Sequence, residues 1–304
     1  MKKMITVQLG TGGRSTIDGM LPVYSRLGIE RIHVYASLAH PTDGVRRLSE
    51  IGDRIRDAGI AVETYFTRHV LGVNSPDSLS CEIDAAKALG ARALCLNTPD
   101  DDEIETSRGK NGRIDAELRD LEALMLSDWK RARRDLRAAE LAIRLQWITG
   151  IYRSSDKTLR KLLACGRGKD VGVSWHACND PVSIKYDMLP LLRMIGHRIS
   201  DFSTSFDERH QWFSHGYSSY GSYPQYTLEQ KKEKCIEEFR DVWAPALDLL
   251  PAGVLACVEF RIGDKEGEDE DFLVRQLDAL DEMLGESERR KRGKSRKCGR
   301  RAGK

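Results

Sequence analysis

The feature of this sequence that most constrains its fold is a regular alternation between short apolar runs and longer segments with helical periodicity. The runs are rich in Val, Ile and Leu, which is typical of strands buried on both faces of a parallel sheet. Eight strands are predicted: Met4–Leu9, Arg31–Ala36, Ile60–Phe66, Ala91–Asn97, Leu141–Trp147, Val171–His176, His197–Phe202 and Val254–Phe260.

The segments between these runs read as amphipathic helices. Val45, Leu48, Ile51 and Ile55, for example, recur with the spacing that places them on one face of a helix. Several segments reach a glycine just before the next run, as in RDAGIAVETYF and KALGARALCLN. Glycine commonly ends a helix in the left-handed conformation. The chain therefore reads as a series of βα units.

Eight such units over residues 1–285 predict an α/β fold, a closed (β/α)₈ TIM barrel forming one domain. A doubly wound open sheet shares the same alternation and is the alternative. Its phosphate-binding glycine fingerprint is matched only weakly by Gly10, Gly12 and Gly13, and no acid ends the second strand. The barrel is therefore favoured.

Composition limits the class of protein further. Hydrophobic residues make up 40% and charged residues 32% of the chain, which favours a globular protein over a disordered one. No apolar run approaches the ~20 residues of a membrane-spanning helix, and the first residues do not form a signal peptide. The seven cysteines include no CxxC pair and read as reduced thiols. We expect a cytoplasmic protein that does not contact a membrane.

The charge of the chain is unevenly distributed. Residues 289–304 contain ten Lys or Arg and no acid, so the net charge of +2 leaves 2 − 10 = −8 for residues 1–288. Ten like charges with almost no apolar residue are typical of disorder, and we expect a disordered basic tail over 286–304. We expect nucleic acid to make only weak contacts with this tail. The sequence does not decide whether the protein forms a homo-oligomer.

Three passages resemble a known family: IDAAKALGARALCLN at 83–97, SDKTLRKLLACGRGKDVGVSWHACND at 155–180 and PAGVLACVEFRIGD at 251–264. They are similar to segments of the xylose-isomerase-like barrels, which include sugar and inositol isomerases, epimerases and dehydratases, with the endonuclease IV type as a relative. The resemblance implies an isomerase or epimerase that acts on a sugar, sugar phosphate, inosose or keto acid. Its chemistry would be proton transfer through an enediolate.

The resemblance also implies a divalent metal. The family uses an acid at the ends of strands five, six and eight and a histidine at the end of strand seven. Glu259 matches the family, whereas Gln146 and His176 stand where acids are expected, and Asp201 or His197 would complete the set. One carboxylate of three then remains, so we expect Mn, Mg, Co or Zn, or no metal at all.

Catalytic roles follow from the same comparison. Glu259 would act as the base, His176 as the partner acid, and Arg198 would polarise a carbonyl group. Gln146 cannot serve as a base, so an isomerase or a dehydratase is favoured over an epimerase that uses two bases.

Substrate-binding groups are expected on other strands and on one long loop. His33, Glu63 and Asn97 lie on the second, third and fourth predicted strands. The aromatic segment 203–226 follows the seventh strand and contains Trp212 and His215. Long loops at the carboxyl ends of barrel strands are usually functional, so we expect these two residues to contact substrate.

Two other functions remain open at this point. A barrel that has lost catalysis and binds a small ligand or partner is suggested by the replaced acids. An endonuclease IV-type enzyme is suggested by the basic tail, although the strand ends do not supply the many His, Asp and Glu ligands that its metal cluster needs.

Overall fold

The computed structural model describes residues 3–7, 17–35, 44–99, 121–149, 156–165, 171–177, 189–204, 230, 233, 240, 244–259 and 266–301. Eight parallel strands pair in chain order, and the eighth pairs with the first, so the sheet closes into a barrel. The strands are β1 Lys3–Val7, β2 Ile29–Tyr35, β3 Ala61–Val70, β4 Ala93–Asn97, β5 Ala142–Thr149, β6 Val171–Ala177, β7 Ile199–Thr204 and β8 Leu255–Glu259. The predicted TIM barrel is confirmed.

Helices lie between the strands, as the periodicity predicts. They are α1 Ile17–Arg26, α2 Gly44–Asp57, α3 Pro76–Ala88, α4 Leu121–Ala138, α5 Asp156–Cys165, α6 Leu189–Ile195 and α7 Glu266–Arg301. None of the helices within the described ranges is both long enough and apolar enough to cross a membrane.

Side chains alternate along the strands between two environments. Leu94, Leu96 and Trp175 belong to the apolar cluster that joins the sheet to the helices. Cys95 and Ser174 alternate with them in sequence, and both lie beside Asp201, although they come from β4 and β6. The outer face of the sheet is therefore the main apolar core, whereas the barrel interior contains polar groups.

The seventh strand begins two residues later than its apolar run predicts. Gly196–Arg198 forms a 3₁₀ turn that packs closely on the chain before β8, since a Cβ on Gly196 would lie 2.5 Å from the Leu249 carbonyl oxygen. Strand β7 consequently starts at Ile199, and Arg198 precedes its amino-terminal end.

The predicted tail also differs from the structure. Residues 286–301, expected to be disordered, continue helix α7 to Arg301. The physical reason is visible at residues 287–291, where Ser287 and Arg290 contact Asp248 on the body of the barrel. The division of the chain into a barrel and a separate tail stays a prediction.

Gly72 shows how closely the turn after β3 packs on α4. Its φ is +80°, and a Cβ there would lie 2.6 Å from the backbone nitrogen of Met125. We expect Gly72→Ala to lower the free energy of unfolding by about 2–4 kcal/mol, because left-handed strain and overpacking add. Urea denaturation measures this change.

The matched control is Gly59→Ala. Gly59 also has a positive φ, +76°, but nothing lies within 4 Å of the added Cβ. This variant should lose only about 1 kcal/mol, from backbone strain alone. Equal losses in the two variants would contradict the close approach of Gly72 to Met125.

Candidate functional site

Four residues stand at the carboxyl ends of the even-numbered strands. Tyr35, Asn97 and Glu259 are the last residues of β2, β4 and β8, and His176 is the next-to-last residue of β6. In (β/α)₈ enzymes this end of the barrel carries the active site. These four positions define the candidate site.

The pairing register places the backbones of His176 and Glu259 at the same height. His176 pairs with Ser203 on β7, and Ser203 pairs with Cys257 on β8, two residues before Glu259. In a closed eight-stranded barrel, residues at equal height along the axis differ from the hydrogen-bonded partners by about one residue per strand. The two steps from β6 to β7 and from β7 to β8 therefore account for the two residues that separate Cys257 from Glu259.

Tyr35 and Asn97 are related in the same way. Tyr35 pairs with Phe66 on β3, and Phe66 pairs with Cys95, two residues before Asn97. Both side chains are half-buried, and the Tyr35 ring stacks on Phe66 with 4.5 Å between ring centroids. The register through β5 likewise places Asn97 level with His176, so the backbones of the four site residues form one layer contributed by alternate strands, as barrel interiors are usually built.

Asn97 also stabilises the local structure by hydrogen bonds. Its side-chain amide donates a hydrogen bond to the Thr67 carbonyl at 2.6 Å, and its own carbonyl accepts one from the Leu71 amide at 3.1 Å. These bonds hold the irregular end of β3, where the register with β4 shifts between Phe66 and Val70.

Beneath this layer lies a buried polar network centred on Asp201, whose side chain is fully buried. Its carboxylate accepts a hydrogen bond from the Ser174 hydroxyl and a second from Arg144 Nε at 3.2 Å. His33 Nε2 lies 3.8 Å from Asp201 Oδ1. Burial, together with the negative charge of Asp201, raises the pKa of the neighbouring Cys95 thiol, so this thiol remains protonated.

The network continues towards the amino ends of the strands through Glu63. Its carboxylate lies 2.5 Å from Arg31 Nη1, 3.5 Å from Arg92 Nη1 and 4.0 Å from Arg144 Nη2. Arg144 thus bridges the two buried carboxylates, Glu63 and Asp201. Space for it depends on Gly172, where a Cβ would lie 2.9 Å from Arg144 Nη1.

The structure separates the predicted site residues into two groups. Glu259, His176 and Asn97 stand at the carboxyl ends of their strands, and Gln146 lies on β5, where it pairs with Ser174 and is 7% exposed. Glu63 and Arg198 lie towards the amino ends of β3 and β7. The sequence assigned Glu63 to substrate binding and Arg198 to catalysis, but both lie away from the carboxyl end of the barrel, where Glu259, His176 and Asn97 stand.

His33 and Asp201 lie between the carboxyl ends and the amino ends of their strands. His33 is fully buried two residues before the end residue Tyr35, with its ring 5.2 Å from that of Phe66. Asp201 pairs with Ser174, two residues before His176. Trp212 and His215 lie outside the described residues.

One of the expected metal ligands, Asp201, is already engaged by other side chains. Asp201 is already bonded to Arg144 and Ser174, which is the environment of an ion-paired carboxylate rather than of a metal ligand. Within the described ranges, no group of three or more His, Cys, Asp or Glu side chains is arranged to hold an ion. Asp201 therefore does not fit the metal set.

Sequence reasoning missed a second buried cluster beside the end of β3. His69 Nε2 lies 2.9 Å from Asp128 Oδ2 on α4, and the same carboxylate accepts a hydrogen bond from the Gly72 amide at 3.0 Å. Arg131 also donates to Asp128. The helical spacing of Asp128 and Arg131 was visible in the sequence, but no sequence signal indicated the contact of Asp128 with His69, 59 residues away.

Asp128 gives this cluster a predictable pH dependence. Burial alone would raise the pKa of Asp128, but the hydrogen bonds from His69 and Gly72 and the charges of His69 and Arg131 hold it below its ordinary value of 3.8. A depressed carboxylate pKa stabilises the fold above that ordinary value, and the stabilisation is lost as the pH falls through the folded-state pKa.

We therefore expect Asp128→Asn to lower the free energy of unfolding by about 2 kcal/mol at neutral pH and by less below pH ~4. Denaturation of wild type and variant from pH 7 to pH 3 measures this difference. A difference that stays constant over that range would show that the charge of Asp128 does not stabilise the fold.

Comparison with known proteins supports the fold. No family model matches the chain, and no curated protein matches it in sequence. Among solved structures, a xylose isomerase domain-containing protein from Salmonella typhimurium matches with a TM-score of 0.59 and 12% identity, covering 93% of this chain and 97% of that one. The 3-keto-D-glucoside 4-epimerase from E. coli matches with a TM-score of 0.56 and 11% identity, over 91% and 100% of the two chains.

The IOLI protein, solved with a bound zinc atom, matches with a TM-score of 0.58 and 10% identity, over 94% of this chain and 99% of that one. These proteins share the architecture of the present chain over nearly its whole length. The chain has the fold of the xylose-isomerase-like TIM barrels.

Proposed function

We propose that this protein is an isomerase or epimerase-like enzyme that acts on a small polyhydroxylated substrate by proton transfer through an enediolate. The observation that carries the proposal is the layer of Tyr35, Asn97, His176 and Glu259 at the carboxyl end of the barrel. A carboxylate and an imidazole at one height can serve as a general base and a general acid.

The proposed reaction assigns one proton to each group. Glu259 removes the proton from the carbon next to a carbonyl group, and the electron pair forms the carbon–carbon double bond of the enediolate. His176 donates a proton to the carbonyl oxygen as charge develops there. Glu259 then returns its proton to the former carbonyl carbon while His176 takes the proton of the other hydroxyl group, whose oxygen becomes the new carbonyl, and this completes the isomerisation. Loss of a hydroxyl group from the next carbon as water, with a proton from His176, would instead give a dehydratase.

The polar barrel interior supports a hydrophilic substrate. His33, Gln146, Ser174 and Ser203 are all buried, although apolar side chains normally fill the layers of such a barrel. A sugar or hydroxy acid presents many donors and acceptors, which suit a site at the open end of such a polar interior. Asn97 and Tyr35 are the proposed contacts with substrate hydroxyl groups.

The proposal is tested by incubating the protein with ketoses, aldoses, sugar phosphates, inososes and keto acids, and by following the formation of new isomers by NMR. Conversion of one class supports the proposal. Compounds that raise the melting temperature but are never converted would favour the alternative, a barrel that binds ligands without turnover. The replacement of a carboxylate by Gln146 is the observation that keeps this alternative open.

A divalent ion is a separate part of the proposal. With Asp201 removed from the set, Gln146, His176 and Glu259 are the residues that would hold it, and the bound zinc of the IOLI protein shows that this fold accommodates a metal. The ion would supply charge stabilisation for the enediolate. Elemental analysis of the wild type, His176→Ala and Glu259→Gln tests it: one equivalent lost in both variants supports the site, and no metal in the wild type contradicts it.

A further inference from the structure

The last helix is longer than the barrel requires. Helix α7 contains 36 residues, against 18 in α4, the next longest helix among the described residues. At 1.5 Å per residue its length is about 54 Å, roughly twice that of α4. Among the residues of α7 whose side chains the structure describes, those from Leu273 to Leu284 pack on the apolar core. The turn that follows them is held by polar contacts at residues 287–291.

The helix is attached to the amino-terminal face of the barrel by residues 287–291. Ser287 and Arg290 donate hydrogen bonds to Asp248 at 2.9 and 3.0 Å. Lys291 Nζ donates to the carbonyl oxygens of Leu247 and Leu250 at 2.8 and 2.7 Å. These acceptors lie just before β8, so the helix has crossed the height of the barrel by residue 291.

Residues 293–301 continue the helix past this attachment. They contain Lys294, Arg296, Lys297, Arg300 and Arg301, and no acid follows Glu288 in the chain. Arg292 lies 3.5 Å from Glu288 and is the last cation of the helix with an acid one turn before it. Five cations over two turns repel one another, so this segment, which we call the basic end of α7, is best stabilised by a polyanion.

We propose that the basic end of α7 binds the phosphate backbone of nucleic acid without sequence preference. Arg and Lys are the side chains that contact phosphates in such complexes. Residues 1–288 carry a net charge of −8 and would repel the polyanion, which confines the contact to this helix end. The candidate site lies at the opposite face of the barrel, so bound nucleic acid leaves it open.

A membrane is a less suitable partner. Helices that lie on a lipid surface need an apolar face as well as a cationic one. Residues 292–301 include Cys298 as their only apolar residue, so no such face is available. A cationic helix end without an apolar face therefore favours nucleic acid over a membrane as the partner.

The experiment measures binding of the full chain to a fluorescent duplex of arbitrary sequence by anisotropy at several salt concentrations. The variant changes Lys294, Arg296, Lys297, Arg300 and Arg301 to Gln. The control changes the exposed Arg46, Arg47, Arg54, Arg56 and Arg134 to Gln, which lowers the net charge by the same amount.

Five phosphate contacts predict a slope of log affinity against log salt of about −4.5 for the wild type and the control. The helix variant should bind at least about tenfold more weakly at low salt, with a slope near zero. Equal weakening in both variants would overturn the proposal, because net charge alone would then explain binding. Tighter binding to phosphatidylserine vesicles or to polyglutamate than to the duplex would also overturn it.

Discussion

Glu259→Gln should lower the turnover of the substrate by about two to four orders of magnitude, because it removes the proposed general base and keeps the size of the side chain. Glu259 is the last residue of β8 and stands at the same height as His176. The fold should be retained, since the change is isosteric. Steady-state kinetics on the compound identified by the isomer screen measures kcat and KM separately.

The matched control is Glu63→Gln. It makes the same change in a carboxylate on β3. Glu63 contacts Arg31 near the amino ends of the strands. This variant should lose stability but keep kcat when it is assayed below its melting temperature. Unchanged turnover in Glu259→Gln, or an equal loss of kcat in Glu63→Gln, would remove Glu259 from the proposed mechanism.

Asp201→Ala should lower the free energy of unfolding by about 3–5 kcal/mol, because it leaves a largely buried guanidinium without its partner. Asp201 is fully buried and accepts a hydrogen bond from Arg144, whose side chain is only 15% exposed. Chemical denaturation at neutral pH measures the loss. If the alanine variant does not fold, Asp201→Asn keeps a hydrogen-bond acceptor for Arg144 and should lose less.

The control for this prediction is an exposed ion pair. Glu50 lies 3.1 Å from Arg46 on α2, and both side chains are more than half exposed. Glu50→Ala should cost less than about 1 kcal/mol, as exposed pairs usually do. A similarly small effect of Asp201→Ala would contradict an ion-paired role for Asp201.

The strands were predictable because their signal is local. Apolar runs and helix-ending glycines recur at each βα unit, and all eight predicted strands overlap the observed ones. Gly59 and Gly90 end their helices with positive φ, as the sequence indicates. Arg198 was predicted within the seventh strand but precedes it, because the apolar run does not show the 3₁₀ turn that delays the start of β7.

The buried network could not be predicted because it depends on contacts distant in sequence. Arg144 and Asp201 are 57 residues apart, and nothing in the local pattern pairs them. Tyr65 faces α3, where its hydroxyl donates to Glu82, although Glu63 two residues earlier contacts Arg144. The register with β2 shifts between Ile32 and His33, opposite this part of β3, so simple alternation does not assign its faces.

The structure of the last helix also depends on contacts between residues distant in sequence. The composition of residues 286–304 predicts disorder, yet Ser287, Arg290 and Lys291 find acceptors on the segment before β8. Such contacts depend on the closed barrel bringing Asp248 beside the last helix. They cannot be read from charge and hydropathy alone.

If Glu259 moves a proton on a carbon atom next to a carbonyl group, the enzyme should exchange that proton with solvent deuterium. Candidate ketoses, inososes and keto acids are incubated in D₂O with wild type or Glu259→Gln, and loss of the proton signal at that carbon is followed by NMR. We expect exchange with the wild type and almost none with the variant. Exchange at the same rate in both proteins, or no exchange of compounds that bind, would contradict it.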